Sequence, residues 1–403
     1  MSVLNILEEK LAETKKQGRF REFLNLERGV QDKPWATNHG QQGERRLNVW
    51  CSNDYLAMSH HPKVLLATTD AVNRVGLGTC GARSISGTSV YHTELETLLA
   101  SAYGKESALL FTTGFGANDA TLSTLCDAIP DLIVFSDELN HASMIYGIRY
   151  SKAEKKIFRH NDVAHLAELL QAADPARPKL IAFESLYSMD GDFAPLAQIV
   201  ALAEQYQALT YLDEIHSAGV YGERGLGYAE QLGLLDKITI IQGGFGKSYG
   251  AAGGYIAAPR SVVEAVRSWA PAFVFSTSSP APVVAAALAS FKYNLEHDTQ
   301  RKHLLAIVEH LKTGLRAAGI PLVSADSHIL PLRVGDPHRN KHISKVLLDE
   351  HDIYVQPVNA PTVPAGSERL RVTPTSAHSH ADVETFLAAL SRVWAVNDLR
   401  RAG

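Results

Sequence analysis

The sequence predicts an α/β protein in which a mostly parallel sheet lies between two layers of helices and is followed by a smaller α+β domain. Short apolar segments alternate with helical segments from about residue 108 to residue 241. Apolar strands separated by helices are typical of a parallel sheet that is covered on both faces. Beyond about residue 280 the pattern changes to long helical segments and a few short strands.

The composition argues against several classes of partner. The chain has 403 residues, of which 45% are hydrophobic and 20% charged, as in an ordinary globular protein. A net charge of −4 argues against nucleic acid or a membrane surface as the main partner. No apolar run reaches the roughly 18 residues of a membrane helix, and we expect no signal peptide. Cys51, Cys80 and Cys126 lack zinc spacing, so we expect reduced thiols, no metal and a cytoplasmic location.

Apolar periodicity predicts the individual elements in order. Leu4, Leu7 and Leu11 share one face of an amphipathic helix at 4–17. Further helices are predicted at 62–75, 92–102, 117–126, 142–150, 196–206, from 217 onward, and at 282–293, 299–318, 341–350 and 381–394. Strands are predicted at 48–51, 108–111, 132–136, 179–184, 208–212, 239–241, 322–323, 329–334, 353–356 and 369–372. We assign residues 1–45 to an N-terminal arm, 46–290 to the large domain and 291–403 to the small domain.

Lys247 lies in a glycine-rich segment directly after the strand predicted at 239–241. Glycine lets the backbone turn sharply and approach a bound group closely. A lysine in this setting commonly holds a phosphate or forms a Schiff base with an aldehyde. A P-loop requires a glycine five positions before the Gly-Lys pair, and Ile241 occupies that position. The sequence therefore favours Schiff-base chemistry at Lys247.

Asp213 and His216 follow another predicted strand, at the edge where open α/β sheets bind ligands. A pyridoxal phosphate site requires a carboxylate at the pyridine nitrogen and a hydrogen-bond donor to the phenolic oxygen, and these two residues suit those roles. The alternative is an aspartate that caps the next helix, with a histidine at the surface.

Other polar positions follow strands in the same way. His141 could stack on a cofactor ring or cap a helix, and Ser188 lies after the strand at 179–184. Gly114 and Phe115 lie between a strand and a helix, where backbone N–H groups and the helix dipole favour an anion, although the segment could be a plain turn. Ser276 and Thr277 could contact a phosphate or form a turn.

From about residue 11 to residue 394 the chain resembles the α-oxoamine synthases, which are fold-type I pyridoxal phosphate transferases. Within that family it is most similar to the 5-aminolevulinate synthases. The resemblance lies in the motifs at 53–56, 86–88, 139–145, 183–191, 213–216, 253–256 and 369–374. It implies a seven-stranded, mostly parallel sheet in the large domain, a smaller C-terminal domain and a homodimer with shared active sites.

The resemblance also implies a role for each site residue. Lys247 would hold the cofactor and remove the Cα proton, Asp213 would pair with the pyridine nitrogen, His216 would bind the phenolic oxygen and His141 would stack on the ring. Gly114 and Phe115 would bind the phosphate, together with the partner's Ser276 and the partner's Thr277. Asn53 and Arg371 would bind the amino-acid carboxylate. Arg21 and Thr362 would bind the succinyl group, and Ser188 would line the site.

The implied reaction is a decarboxylative condensation of a small amino acid with an acyl-CoA, giving an aminoketone, CO2 and CoA. Glycine and succinyl-CoA are the favoured substrates, with 5-aminolevulinate for tetrapyrrole biosynthesis as the product. Three positions differ from the family pattern: Ala82 and Ser84 stand where Thr and Asn are usual, and Gly244 replaces a Thr that contacts the phosphate. Alanine or serine, or another acyl-CoA, is therefore the alternative substrate.

Two further hypotheses belong to other classes. The chain could be a catalytically silent scaffold, although the intact Lys247, Asp213, His216 and Arg371 argue against this. It could also be a plain aminotransferase, because fold-type I is shared, and it would then form a keto acid without requiring an acyl-CoA.

Overall fold

The structure is a computed structural model that describes residues 2–40 and 43–397. The chain folds into two compact units. The small unit comprises the residues up to Tyr55, Met189–Asp192 and the residues from Lys302 onward, and the large unit comprises Leu56–Ser188 and Phe193–Arg301. The predicted segments 1–45, 46–290 and 291–403 differ from these units at residues 46–55, 189–192 and 291–301.

Strands and helices are labelled in chain order over the described residues. The strands are β1 (Leu26–Glu27), β2 (Trp35–Gly40), β3 (Gly43–Val49), β4 (Ser107–Phe111), β5 (Ile133–Asp137), β6 (Glu154–Phe158), β7 (Lys179–Glu184), β8 (Leu209–Asp213), β9 (Ile240–Gly244), β10 (Gly254–Ala258), β11 (Leu330–Arg333), β12 (Ile353–Tyr354), β13 (Gln356–Val358) and β14 (Arg369–Val372). The helices are α1 (Val3–Lys16), α2 (Pro62–Val75), α3 (Val90–Tyr103), α4 (Gly114–Ala128), α5 (Ala142–Arg149), α6 (Val163–Gln171), α7 (Leu196–Gln205), α8 (Tyr228–Gln231), α9 (Arg260–Trp269), α10 (Pro271–Val274), α11 (Ala281–Glu296), α12 (Thr299–Ala317), α13 (Pro337–His351) and α14 (His380–Val396).

The described part of the large unit contains a seven-stranded sheet in the order β4-β10-β9-β8-β7-β5-β6. Its strands are parallel except β10, which runs antiparallel to both of its neighbours. Alternate side chains of each strand enter two different hydrophobic clusters; Ile181 and Phe183 of β7 join one, whereas Leu180 and Ala182 join the other. Because successive side chains of a strand point to opposite faces, both faces of the sheet are covered. The predicted mostly parallel, seven-stranded sheet is confirmed.

This topology brings the ends of several strands to one edge of the sheet. Strands β5, β7 and β8 end at Asp137, Glu184 and Asp213, and all three carboxyl side chains are buried. Strand β9 lies beside β8 in parallel register and ends at Gly244, shortly before Lys247. The polar residues that the sequence separates by dozens of positions therefore lie along a single sheet edge.

The small unit has, among its described residues, two sheets and its own hydrophobic core. One sheet has the order β1-β2-β3-β12, and the other is the antiparallel β11-β14-β13. Its core contains Trp50, Phe386 and Trp394, each at most 1% exposed. Helix α1 buries none of its residues within the chain. In the part of the chain that the structure describes, no helix is both long and apolar enough to cross a membrane.

Several element predictions are confirmed to the residue, including α2, β7 and β14. The helix predicted from 217 onward is wrong, because the chain there forms successive turns until α8 begins at Tyr228. Gly219, Gly222 and Gly225 adopt φ angles of 88°, 86° and 74°, which a helix does not allow. Strands β2, β6 and β10 and helix α9 were not predicted.

Candidate active site

Lys247 lies in a short loop that close backbone packing holds in place. A Cβ atom at Gly243 would lie 2.3 Å from Tyr255 Oη, and one at Gly254 would lie 2.6 Å from Gly114 Cα. Gly250, at a φ of 62°, donates its N–H to the carbonyl of Lys247 at 2.9 Å. The glycines therefore allow β9, β10 and the start of α4 to approach each other, and this packing fixes the half-buried Lys247.

Asp213 is 2% exposed at the end of β8. Its Oδ2 accepts a hydrogen bond of 2.8 Å from Asn118 Nδ2, and its Oδ1 accepts one of 2.8 Å from the Ile215 amide. Tyr211 in turn donates to Asn118 Oδ1 at 2.7 Å, so the amide group of Asn118 has a fixed orientation. The capping alternative is wrong, because Asp213 is buried and turns follow it, and His216 is also buried rather than at the surface.

His141 lies at the N-terminus of α5 and caps that helix, while stacking on a cofactor ring stays a prediction. Its Nδ1 caps the helix by accepting from the Ser143 amide at 3.3 Å, and its ring meets that of Phe115 edge to face at a centroid distance of 6.3 Å. Partial burial lowers the pKa of His141, the negative charge of Asp213 raises it, and the positive charge of Lys247 lowers it. The charges of Asp213 and Lys247 therefore both act on the His141 imidazole.

Glu184 ends β7 directly beside Asp213 of β8 and is 2% exposed. Its Oε1 accepts a hydrogen bond of 2.6 Å from the His141 amide, which fixes the backbone under that ring. Burial raises the pKa of Glu184 well above its usual range, and the charge of Asp213 raises it further. The charge of Lys247 and the hydrogen bond from the His141 amide lower the pKa of Glu184 in part.

The N-terminus of α4 has the features of an anion site. Thr113 caps the helix by accepting from the Gly116 amide at 2.9 Å, and its carbonyl accepts from the Ala117 amide at 3.1 Å. The amides of Gly116 and Ala117 therefore donate to Thr113, whereas those of Gly114 and Phe115 come before them at the start of the helix. The helix dipole favours a negative charge beside these first amides. A phosphate fits this cradle, a pyridine nitrogen fits the buried carboxylate of Asp213, and an aldehyde fits Lys247. The residues present therefore suit pyridoxal phosphate.

Ser276 and Thr277 border a recess of about 30 Å³ together with Gly116 of the same chain. A volume of this size holds roughly one water molecule. Thr277 also forms an isolated antiparallel bridge with Ala82, while Ser84 is exposed two residues further on. Ser188, after β7, is half-buried. Phosphate binding by the partner's Ser276 and the partner's Thr277 stays a prediction.

The small unit brings Arg371 and Asn53 together, as the predicted carboxylate-binding pair requires. The Arg371 guanidinium donates to Asn53 Oδ1 at 3.0 Å and to the Tyr55 hydroxyl at 3.2 Å. His328, which is fully buried, meets the Tyr55 ring edge-on at a centroid distance of 4.2 Å. The guanidinium is therefore positioned by two oxygen acceptors and by the packing behind one of them.

Arg21 and Thr362, predicted to bind the succinyl group, also meet in the small unit. Arg21 Nη2 donates to Thr362 Oγ1 at 3.0 Å, and both residues line a cavity of about 700 Å³. Arg19, Lys341 and Lys345 line the same cavity, so most of its charged side chains are basic. A carboxylate-bearing acyl group suits this charge.

Sequence reasoning missed Asn118 as a partner of Asp213 and gave Glu184 no defined role. The available signal for Asn118 was a single amide side chain near the start of an apolar helix, directly after the glycine turn. For Glu184 the signal was an acidic residue at the end of an apolar strand. Among the described residues, no group of three or more His, Cys, Asp or Glu side chains is arranged to hold a metal ion.

Comparison with known proteins agrees with this geometry. Residues 46–390 match the family described as aminotransferase class I and II. A 5-aminolevulinate synthase of Rhodobacter capsulatus is 49% identical, over 96% of this chain and 95% of that protein. One of Paracoccus denitrificans is 48% identical, over 98% of each. A solved serine palmitoyltransferase with a pyridoxal phosphate internal aldimine superposes with a TM-score of 0.93 at 30% identity, covering 99% of this chain and 100% of that one.

The family match, the sequence similarity over nearly the whole chain and the shared fold all agree with the motifs that first indicated the relationship. The chain belongs to the aminotransferase class I and II family and, within it, to the α-oxoamine synthases closely related to 5-aminolevulinate synthases.

Proposed function

We propose that this enzyme condenses glycine with succinyl-CoA to form 5-aminolevulinate, CO2 and CoA, with pyridoxal phosphate as cofactor. The main supporting observation is the single sheet edge at which the charges of Asp213 and Lys247 both act on His141, beside the N-terminus of α4, whose first amides suit an anion. The near full-length similarity to 5-aminolevulinate synthases supports this choice of substrates.

When bound, pyridoxal phosphate supplies a protonated pyridine ring that accepts the electron pair left at the amino-acid Cα. Asp213 would hold the proton at the ring nitrogen, and His216 would donate to the phenolic oxygen. His141 would stack on the ring, with its position set by Glu184 and by the α5 cap. Lys247 Nζ would hold the cofactor covalently and then, once released by the incoming amino acid, take the Cα proton.

Substrate carboxylates would be bound by the two arginine clusters of the small unit. Arg371 and Asn53 would bind the carboxylate of the amino acid, and Arg21 with Thr362 would bind that of the succinyl group. Arginine suits both sites, because its planar guanidinium presents two parallel donors to a carboxylate. The new carbon–carbon bond joins the glycine Cα to the succinyl carbonyl carbon, and the thioester bond breaks to release CoA. The glycine carboxylate then leaves as CO2, and a proton takes its place on Cα.

The test is a matrix of CoA release in which glycine, alanine and serine are each combined with succinyl-CoA, octanoyl-CoA and palmitoyl-CoA. Release mainly with glycine and succinyl-CoA is expected. No release with that pair would contradict the proposal. Activity shifted to a larger amino acid or a neutral acyl chain would support the alternative suggested by Ala82 and Ser84. Keto acid formation without an acyl-CoA would indicate an aminotransferase.

We also propose that the enzyme is a homodimer with shared sites. Phe275 and Ile85, on either side of the Ala82–Thr277 bridge, are 84% and 71% exposed in the single chain, and large exposed apolar side chains favour an interface. In a dimer, mixing the Lys247→Ala variant with a Ser276→Ala/Thr277→Ala variant would restore activity that neither has alone. A monomer in sedimentation and a lack of complementation would contradict this.

We propose a cytoplasmic role in tetrapyrrole biosynthesis. Cys51, Cys80 and Cys126 are all unpaired thiols, which suits a reducing compartment. The 5-aminolevulinate product would supply that pathway, and complementation of a bacterial strain that requires 5-aminolevulinate tests this. Failure to support growth, despite expression and in vitro activity, would contradict the pathway assignment.

A further inference from the structure

In the large unit, the terminal methyl group of Ile215 occupies the space that a side chain at Gly114 or at Gly244 would need. A Cβ atom at Gly244 would lie 2.7 Å from Ile215 Cδ1 and 2.9 Å from Ile215 Cγ1. A Cβ atom at Gly114 would lie 2.6 Å from the same Cδ1. Rotation of the terminal methyl alone does not clear Gly244, because Cγ1 is also too near and a β-branched side chain is stiff about its first torsion.

These glycines lie at the two ends of the phosphate cradle. Gly114 begins α4, whose first amides would face the phosphate, and Gly244 ends β9 three residues before Lys247. Ile215 itself is fixed through its amide, which donates to Asp213 at 2.8 Å. Ile215 therefore connects the residue proposed for the pyridine nitrogen with the residues proposed for the phosphate.

We infer that Ile215 and Gly244 form a matched pair that determines how the cofactor phosphate is held. Ile215 fills the space in which a hydroxyl-bearing side chain at position 244 would stand. The cradle then binds the phosphate without a side-chain donor from the end of β9. Ile215 acts as a positioning residue, because it packs against both Gly114 and Gly244. This inference rests on the proposed function, since it concerns the phosphate of that cofactor.

The pair has a measurable consequence for cofactor affinity. A hydroxyl that donates to a phosphate forms a hydrogen bond to a charged group, and such a bond changes a dissociation constant by roughly tenfold or more. Threonine at 244 gains this bond only when both Cγ1 and Cδ1 of Ile215 are removed, which the change Ile215→Ala does. Threonine is also well suited to the strand conformation of Gly244.

The experiment compares wild type with Gly244→Thr, Ile215→Ala and the double variant. The dissociation constant of pyridoxal phosphate is measured by titration of the cofactor-free protein, and the thermal midpoint of the cofactor-free protein is measured separately. We expect Gly244→Thr alone to lower the midpoint by several degrees, because overpacking a close-packed site is destabilising. The double variant should have a higher midpoint than Gly244→Thr alone and bind the cofactor roughly tenfold more tightly than wild type.

Gly246→Ala is the matched control, because a Cβ there would meet no described atom nearer than the Ala251 carbonyl at 4.0 Å. Its effect on the midpoint should be the same with Ile or Ala at 215. If Gly244→Thr alone tightens cofactor binding without loss of stability, or if the two changes are additive, the inference is wrong although the proposed function stands. If wild type binds no pyridoxal phosphate at all, the proposed function itself fails.

Discussion

Asn118 Nδ2 donates a hydrogen bond of 2.8 Å to Oδ2 of the buried Asp213, and its second contact from Nδ2 is to Ser143 Oγ at 3.0 Å. Asn118 is therefore the side chain that fixes the plane of the carboxylate proposed to hold the pyridine proton. A fixed carboxylate in a buried site needs no rearrangement when charge develops in the ring.

Asn118→Ala should lower kcat roughly tenfold or more, because a hydrogen bond to a charged group contributes about 1.5–3 kcal/mol. The cofactor dissociation constant should rise in the same variant. Steady-state kinetics and cofactor titration provide the measurement. Thr124→Val is the control on the same helix, since the buried Thr124 hydroxyl has no hydrogen-bond partner within the described residues. Equal kcat for Asn118→Ala and wild type would show that Asn118 does not support Asp213.

Arg371→Lys should raise the KM for the amino acid roughly tenfold, while the KM for the acyl-CoA changes little. The reason is that a lysine ammonium cannot reproduce the two parallel donors of the guanidinium. Arg333→Lys is the matched control, because Arg333 is exposed on the neighbouring strand β11. The account of carboxylate binding would be wrong if both variants gave the same small change.

Arg21→Met should raise the KM for succinyl-CoA roughly tenfold or more and leave the KM for glycine near its original value, since the lost group is a charged donor to the succinyl carboxylate. The preference for succinyl-CoA over butyryl-CoA should fall in parallel. Arg19→Met serves as the control, because Arg19 lines the same cavity but donates to the Ala360 carbonyl at 3.2 Å. An equal loss in both variants would indicate general electrostatics rather than a specific contact.

His328 should make the protein less stable in acid. Burial, together with the positive charges of Arg371 and Lys312, lowers the pKa of His328 from 6.5 to about 3. Between these two pKa values the folded state binds fewer protons than the unfolded chain, so stability decreases as pH falls through this window.

His328→Phe keeps a ring against Tyr55 and removes this titration. The midpoint of the variant minus that of wild type should therefore be larger at about pH 5 than at about pH 7. The exposed His342, replaced by Asn, is the control and should show no such relative gain. Parallel midpoint profiles for wild type and His328→Phe would contradict the prediction.

The chemistry of the strand ends could be predicted because it follows from topology. A parallel sheet brings the carboxyl ends of its strands to one edge, so the sequence alone is enough to group Asp213, His141 and Lys247. Asn118 and Ile215 could not be grouped with them, because their roles depend on packing between α4 and the sheet rather than on sequence spacing.

The turns after β8 illustrate a second limit. Glu214 is buried and accepts hydrogen bonds from the Tyr228 and Ala229 amides, which holds the intervening glycine-rich segment in turns. A periodicity argument detects the apolar residues of such a segment but not a distant carboxylate that binds its backbone. The helix predicted from residue 217 was wrong for this reason.

The most direct test of the central claim uses glycine labelled at its carboxyl carbon, together with succinyl-CoA. The proposed condensation predicts that labelled CO2 and free CoA are released in equal amounts, that 5-aminolevulinate accumulates to match both, and that Lys247→Ala abolishes all three. CoA release without labelled CO2 would indicate thioester hydrolysis or retention of the amino-acid carboxylate. That result would contradict the account.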